Sequence, residues 1–263
     1  MKKKTQMLIW IIVSVLMLAV VAYLITNIVI AKTKEIQNPV VTLEIAEYGN
    51  IKIELYPEYA PNTVLNFINL VKKDFYNGKT FYGKDETGIY TAKSEEGEEV
   101  FPTMSLVDSD IEAGSDNDFE YQINGEFIAN GYEENTLRHE KGVISMVREE
   151  YSSYFGLTEQ GYNSGSGNFQ IMLDTNRNLN GLYTAFGKVI EGLEIVEAIF
   201  SAEELIVEDE DTENSDITEL ATPAVITKAT VETYGVEYEM PEVHSAFDYD
   251  AYLQSYFETY YSE

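Results

Sequence analysis

Few side chains in this sequence are suited to carry out a reaction, and residue type alone excludes most familiar chemistries. Cysteine is absent, which rules out a disulfide scaffold, a thiolate metal site and a lipid-modified thiol. The two histidines, His139 and His244, have no nucleophile or ligand at motif spacing. Asp and Glu number 46, so finding two carboxylates close in sequence has no diagnostic weight. The run Glu208–Asp211 lacks the alternating ligands and sharp glycine turn of a calcium loop. No phosphate-cradling glycine loop, zinc signature or nucleophile–base motif is present. The cations that could act are Arg148, a rigid and permanently charged fork, and Lys84, a flexible hydrated point charge.

Charge and hydropathy divide the chain before any element is assigned. From Met7 to Ala31 there is no charged residue, and about 20 apolar residues are enough to cross a hydrocarbon core. Lys2, Lys3 and Lys4 precede this run, and Lys32 and Lys34 follow it. The excess at the start predicts a single-pass transmembrane helix with a cytoplasmic N-terminus and an extracellular domain at the cell membrane. A cleaved signal peptide is the competing reading, since Val29-Ile30-Ala31 fits a small-residue cleavage site. The remainder carries 12 basic and 46 acidic side chains, a net −34. Such a surface repels nucleic acid and favours solubility.

Periodicity then gives the elements. Val40–Glu47 and Ile51–Leu55 alternate apolar and polar residues around Tyr48-Gly49-Asn50, which predicts an antiparallel hairpin. Ala60-Pro61-Asn62-Thr63 opens an amphipathic helix with Val64, Leu65, Phe67, Ile68 and Val71 on its apolar face. Further strands are expected at Gly142–Val147, Phe169–Leu173, Tyr183–Val189 and Ala224–Thr233, with a second helix at Leu193–Phe200. Short strands separated by turns indicate a mainly β barrel or sandwich. The sequence divides into residues 1–34, a domain over 35–235 and a tail over 236–263. Residues 84–100 and 201–220 read as acidic additions to the domain. The tail places Phe247, Tyr249, Tyr252, Leu253, Tyr256, Phe257 and Tyr260 near helical spacing, compatible with a docked helix, a partner-binding element or a disordered segment.

The motifs in order carry a family resemblance. Leu55–Phe67 (LYPEYAPNTVLNF), Phe75–Phe81 (FYNGKTF), Ile123–Phe127 (INGEF), Leu137-Arg138-His139, Gly142–Met146 (GVISM), Ser166–Leu173 (SGNFQIML) and Leu179–Val189 (LNGLYTAFGKV) follow one another as in the cyclophilin-type peptidyl-prolyl isomerases, bacterial members especially. The likeness spans about residues 38–234. It implies an eight-stranded antiparallel barrel capped by two helices, and it calls for no cofactor. It also implies proline-containing or unfolded polypeptides as clients. An X-Pro bond isomerises over a barrier of roughly 18–20 kcal/mol without a covalent intermediate. A catalyst of this kind seats the proline ring and donates a hydrogen bond that breaks amide resonance, a task suited to a fixed guanidinium.

The resemblance also shows what has changed. The family's Phe-His-Arg is here Phe81-Tyr82-Gly83, so the arginine is lost. Its Phe-Met-x-Gln-Gly-Gly-Asp stretch has Pro102–Asp108 as the nearest candidate, without the Gln or the glycines. Gln-Phe-Phe is Asn168-Phe169-Gln170, and the late pocket His is Tyr183. Asn178 stands where some members carry Trp or His. By family position the peptide-binding residues are Tyr82, Gly83, Val147, Arg148, Asn168, Gln170, Leu179 and Tyr183, with no catalytic residue assigned. Phe81, Met146 and Phe169 read as core, His139 as structural, and Lys84 as a candidate substitute donor. The expected function is a peptidyl-prolyl isomerase of low activity acting outside the cytoplasm. Its alternatives are a non-catalytic peptide-binding or chaperone module and a surface assembly protein using the tyrosine-rich tail.

Overall fold

Strand β1 (Val40–Ile45) and strand β2 (Gly49–Leu55) form the predicted hairpin. Its reverse turn lies slightly earlier than the glycine suggests, with Glu47 in the left-handed region at φ 65° and Tyr48 N donating to Ile45 O. The structure is a computed structural model describing residues 2–33, 37–95, 97–107, 120–151, 153–204 and 217–261. It divides into two units, residues 1–37 and 38–263.

In the first unit, helix α1 (Lys2–Thr33) takes up the apolar run. Its side chains are described without interruption only over residues 9–24, where all are exposed. Among the described residues no helix is long and apolar enough to cross a membrane. The transmembrane helix expected from Met7–Ala31 is corrected accordingly, and with it the membrane as a partner through that helix.

In the second unit, eight strands close into a barrel in the order β1-β2-β8-β6-β7-β4-β3-β9. The remaining barrel strands are β3 (Thr80–Lys84), β4 (Gly88–Lys93), β6 (Val143–Met146), β7 (Phe169–Met172), β8 (Ala185–Glu191) and β9 (Thr218–Glu232). β9 closes the ring by pairing with β1 at one side and β3 at the other. Alternation along each strand sends Val41, Leu43, Ile51, Ile53 and Leu55 inward with no exposed surface. The predicted helices cover the ends, α2 (Pro61–Lys72) and α4 (Leu193–Phe200). α2 brings Phe67 into the core, where its ring lies 5.2 Å from both Phe169 and Phe186 and 5.1 Å from Tyr76. Phe81 meets Phe169 edge-on at 6.1 Å. Phe81, Met146 and Phe169 are thus core residues, as periodicity suggests.

Two readings of the middle of the chain change. Residues 84–100 are not wholly an appended loop, because Gly88–Lys93 is a barrel strand paired to β3 and β7. Asp85 organises the approach: its Oδ1 accepts from Thr87 N and Gly88 N at 2.6 and 2.8 Å, a carboxylate turn that starts the next strand. The strand following Phe81-Tyr82-Gly83 is therefore β4. Within the candidate stretch Pro102–Asp108, Met104–Leu106 form a single 3₁₀ turn, and Asp108 lies outside the described residues, as does the run Glu208–Asp211.

The acidic-insert reading of 201–220 falls mostly on residues 205–216, also outside the described residues. The tail is ordered on the domain. Asn62 and Glu242 exchange two hydrogen bonds, 2.8 Å from Asn62 Nδ2 to Glu242 O and 2.7 Å from Glu242 N to Asn62 Oδ1. Strand β10 (His244–Ser245) pairs with β5 (Tyr121–Gln122), and helix α5 (Tyr249–Tyr261) follows. A short helix, α3 (Thr158–Tyr162), completes the set.

The start of α2 lacks a capping side chain of its own, since its N-cap is Ala60. Glu126 supplies the missing acceptor from 64 residues away: it takes Asn62 N at 2.9 Å, Thr63 N at 2.8 Å and Thr63 Oγ1 at 2.7 Å. A carboxylate at a helix N-terminus satisfies otherwise orphaned donors and complements the helix dipole. Replacing it strands three donors, two of them buried. Glu126→Ala is expected to lower the unfolding free energy by about 2–3 kcal/mol, read by urea denaturation.

Candidate functional site

The candidate site is laid out by two strand ends. On β7, Phe169 points into the barrel, so its neighbours Asn168 and Gln170 point outward. β6 ends at Met146, and the chain continues through Val147, Arg148 and Glu149. Val147 N donates to Asn168 O at 2.9 Å, which places the two stretches side by side. Val147, Arg148 and Asn168 line a groove of about 1170 Å³. Three of the eight expected peptide-binding residues thus share one cavity wall.

Arg148 does not stand free at the rim. Its side chain is 9% exposed and lies under aromatic rings, with the guanidinium carbon 4.1 Å from the Tyr183 centroid and 5.1 Å from that of Tyr162. Nε donates to Leu182 O at 3.1 Å and Nη1 to Glu149 O at 2.9 Å. Stacking and carbonyl acceptance together hold the guanidinium in one orientation. Tyr183 is fixed from the other side, its hydroxyl donating to Glu150 Oε1 at 2.5 Å. Burial and that carboxylate push its phenol well above the usual tyrosine range, while Arg148 opposes the rise.

The other expected residues are placed differently. Gln170 is 2% exposed and its Oε1 accepts no hydrogen bond from the described protein. Leu179 packs in a satellite cluster with Val143, Met172 and Ala185. Gly83 is buried against β9: a Cβ there would lie 2.6 Å from the Ile217 Cγ2 methyl and 3.2 Å from Thr218 O. A bulge between Phe81 and Gly83 shifts the register of β3, and beside it Tyr82 lies under the Lys93 ammonium at 4.6 Å. Burial, with Glu99, Glu219 and Glu149 nearby, raises the Tyr82 phenol to about 12.

Lys84 is corrected as a substitute donor. Its Nζ donates to Phe200 O at 2.7 Å and Ala202 O at 3.3 Å, and it pairs with Glu204 at 3.1 Å. It serves the C-terminal end of α4, where a cation complements the dipole. Asn178 sits in an exposed 3₁₀ turn, its N–H held by Asn176 Oδ1 at 3.1 Å.

Sequence reasoning missed Glu149, Tyr151 and the tail residues that complete the groove, and it missed Tyr90 outside it. Tyr90 lies in β4, unrecognised as a strand, and donates to Asp85 Oδ2 at 2.6 Å. Tyr151 stacks on Tyr249 at 4.9 Å and meets Phe247 edge-on at 5.4 Å. The aromatic spacing of the tail was the available signal, but spacing does not say which surface such a face covers.

With this geometry in hand, the comparisons with known proteins fall into place. Residues 40–228 match the family described as cyclophilin type peptidyl-prolyl cis-trans isomerase/CLD. The chain belongs to this family. It is 32% identical over 149 residues to peptidyl-prolyl cis-trans isomerase B of Bacillus subtilis, covering 56% of this chain and 82% of that protein. It is 31% identical over 157 residues to peptidyl-prolyl cis-trans isomerase 10 of Caenorhabditis elegans, covering 57% and 76%. A Cryptosporidium parvum cyclophilin-type isomerase shares the fold at TM-score 0.51 and 19% identity, over 74% of this chain and 98% of that one. The same protein solved in the presence of the dipeptide Ala-Pro gives TM-score 0.50, over 73% and 98%.

His139 has the structural role expected of it. It is fully buried, with Nε2 2.9 Å from Ser145 Oγ and Nδ1 3.2 Å from Asn180 Oδ1. Burial lowers its pKa below the usual imidazole range, partly opposed by Asn180. A lowered folded-state pKa means that the unfolded chain binds the extra proton first. The stabilisation is therefore present above about pH 6.5 and lost as pH falls below it. Subtracting the pH profile of unfolding free energy for His139→Gln from that of the unmodified protein isolates this loss, expected at up to about 1.4 kcal/mol per pH unit.

Proposed function

We propose that the domain binds X-Pro segments of polypeptide clients in this groove and accelerates their isomerisation only weakly, grading into a binding or chaperone role. Family membership supports the choice of ligand, as does the fold neighbour solved in the presence of Ala-Pro. Val147, Arg148 and Asn168 on the groove wall support the location. Clients outside the cytoplasm are the fitting class: the lysine-led apolar N-terminus supports export, and a cysteine-free, acidic domain suits that setting. Docking of the tail on the domain favours this reading over a free assembly element.

One observation carries the low activity. At Gly83 the backbone packs so closely on Ile217 and Thr218 that no side chain extends from the position where the family's arginine stands. The guanidinium that lines the groove, that of Arg148, donates to protein carbonyls and lies beneath Tyr183. Beside Gly83 stands a neutral phenol, Tyr82, and neutral donors make weaker hydrogen bonds than charged ones. Loss of one preorganised donor costs on the order of 10²–10³ in rate.

An exchange-NMR or protease-coupled assay on an Ala-Pro peptide is therefore expected to give kcat/KM at least about 100-fold below that of an arginine-bearing relative. Family-like rates would overturn the proposal. Gly83→Arg is expected not to restore activity and to lower stability by about 1–3 kcal/mol, because the new Cβ needs space that β9 occupies.

A further inference from the structure

The groove is not built by the barrel alone. Ser245, Ala246, Phe247, Asp248, Tyr249 and Asp250 of the tail form one side, facing Val147, Arg148 and Asn168 on the other. These tail residues are firmly placed. β10 pairs with β5, Phe247 N donates to Gln122 Oε1 at 3.0 Å, Tyr249 stacks on Tyr151, and Tyr252 Oη donates to Phe155 O at 3.1 Å. Pro241 is buried just ahead of them.

The charge on this lining is lopsided. Asp248 and Asp250 come from the tail, and Glu99, Glu120 and Glu149 from the domain. The single lining cation, Arg148, already donates to Leu182 O and Glu149 O and stacks under Tyr183. Glu149 is held above the usual carboxylate range by burial and by Glu99. Aromatic faces, Phe101, Tyr151, Phe247 and Tyr249, alternate with the carboxylates. Such a surface accepts an alkyl ammonium or guanidinium, whose stem lies on the rings while its head meets the acids. The lining also includes an unpartnered side-chain acceptor: Asn168 Oδ1 is buried and takes no hydrogen bond from the described protein. Among the described residues no three carboxylates or imidazoles converge as metal ligands do.

We infer that residues 245–250 are an in-chain wall of the peptide groove that makes it select proline-containing segments bearing lysine or arginine beside the proline. The inference rests on the groove being the peptide site and adds the class of peptide it takes. The tail is then a specificity element: its acids hold the flanking cation while the barrel strands hold the proline.

The test uses the full chain and three capped peptides, Lys-Ala-Pro-Lys, Gln-Ala-Pro-Gln and Glu-Ala-Pro-Glu, titrated by amide NMR at low and at 300 mM salt. The lysine peptide is expected to bind about tenfold more tightly than the glutamine peptide at low salt, with the glutamate peptide weakest. The gap should shrink to about twofold at 300 mM, where exposed charges are screened. Asp248→Asn with Asp250→Asn should shrink it similarly, with the fold kept. Asp248 Oδ1 caps α5 by accepting Ala251 N at 2.8 Å, and asparagine caps equally well.

Equal affinities for the three peptides overturn the inference. So does a lysine preference that survives the double substitution, or one reported only by amides remote from 147–168 and 245–250. If the glutamine peptide binds at Val147, Arg148 and Asn168 without any charge preference, the wall fails and the peptide site stands. If no peptide perturbs those amides, both fail.

Discussion

The barrel closes around one aromatic ring, and the site is a consequence of that. Phe169 sits among Phe67, Tyr76 and Phe81 with no exposed surface. Because strand side chains alternate strictly, fixing Phe169 inward fixes Asn168 and Gln170 outward. A slip of one residue would drive two amides into the aromatic core. The same ring anchors α2 through Phe67. The hydroxyl of Tyr76 then reaches Gly167 O at 2.8 Å, and Asn66 Nδ2 donates to Ser166 O at 2.5 Å. Core packing thus sets the position of the loop that leads into the groove.

Next to this apolar centre, polar groups are arranged to be satisfied within the protein, which limits what they can offer a ligand. Glu126 caps a helix distant in sequence, and its own N–H is held by Thr184 Oγ1 at 2.9 Å. His139 joins Ser145 and Asn180. Arg148 and Lys84, the two cations that composition offers as donors, donate to backbone carbonyls. A guanidinium already stacked and hydrogen-bonded must give up those contacts before it can polarise a substrate amide. The family scaffold is kept here by interactions that engage its charged groups within the protein, while Gly83 lets β3 and β9 approach closely.

The tail changes the character of what is left. Strand pairing at β10 and β5, the Asn62–Glu242 exchange and the stack on Tyr151 seat an acidic, aromatic segment along the groove. Each contact is modest, but they follow one another along the chain, so each lowers the entropy cost of making the next. A shallow rim becomes a two-sided groove.

Much of this protein was legible in its sequence. The hairpin from Val40, the helix after Pro61, the strand at Phe169 and the helix at Leu193 follow from period and turn chemistry, because an element with one buried face must repeat apolar residues at its own spacing. The glycine that follows Phe81-Tyr82 is equally direct, since position 83 is read from the sequence itself. Three things required the tertiary structure. β4 was hidden because Gly88–Lys93 has polar neighbours and a mixed pattern, and only pairing with β3 and β7 makes it a strand. The engagement of Arg148 and Lys84 was hidden because a hydrogen-bond partner is chosen by proximity in space, and Lys84 finds its partners more than a hundred positions away. The tail's aromatic spacing announced a helix with something to cover, but which surface lies opposite an amphipathic face is decided by the fold that places it.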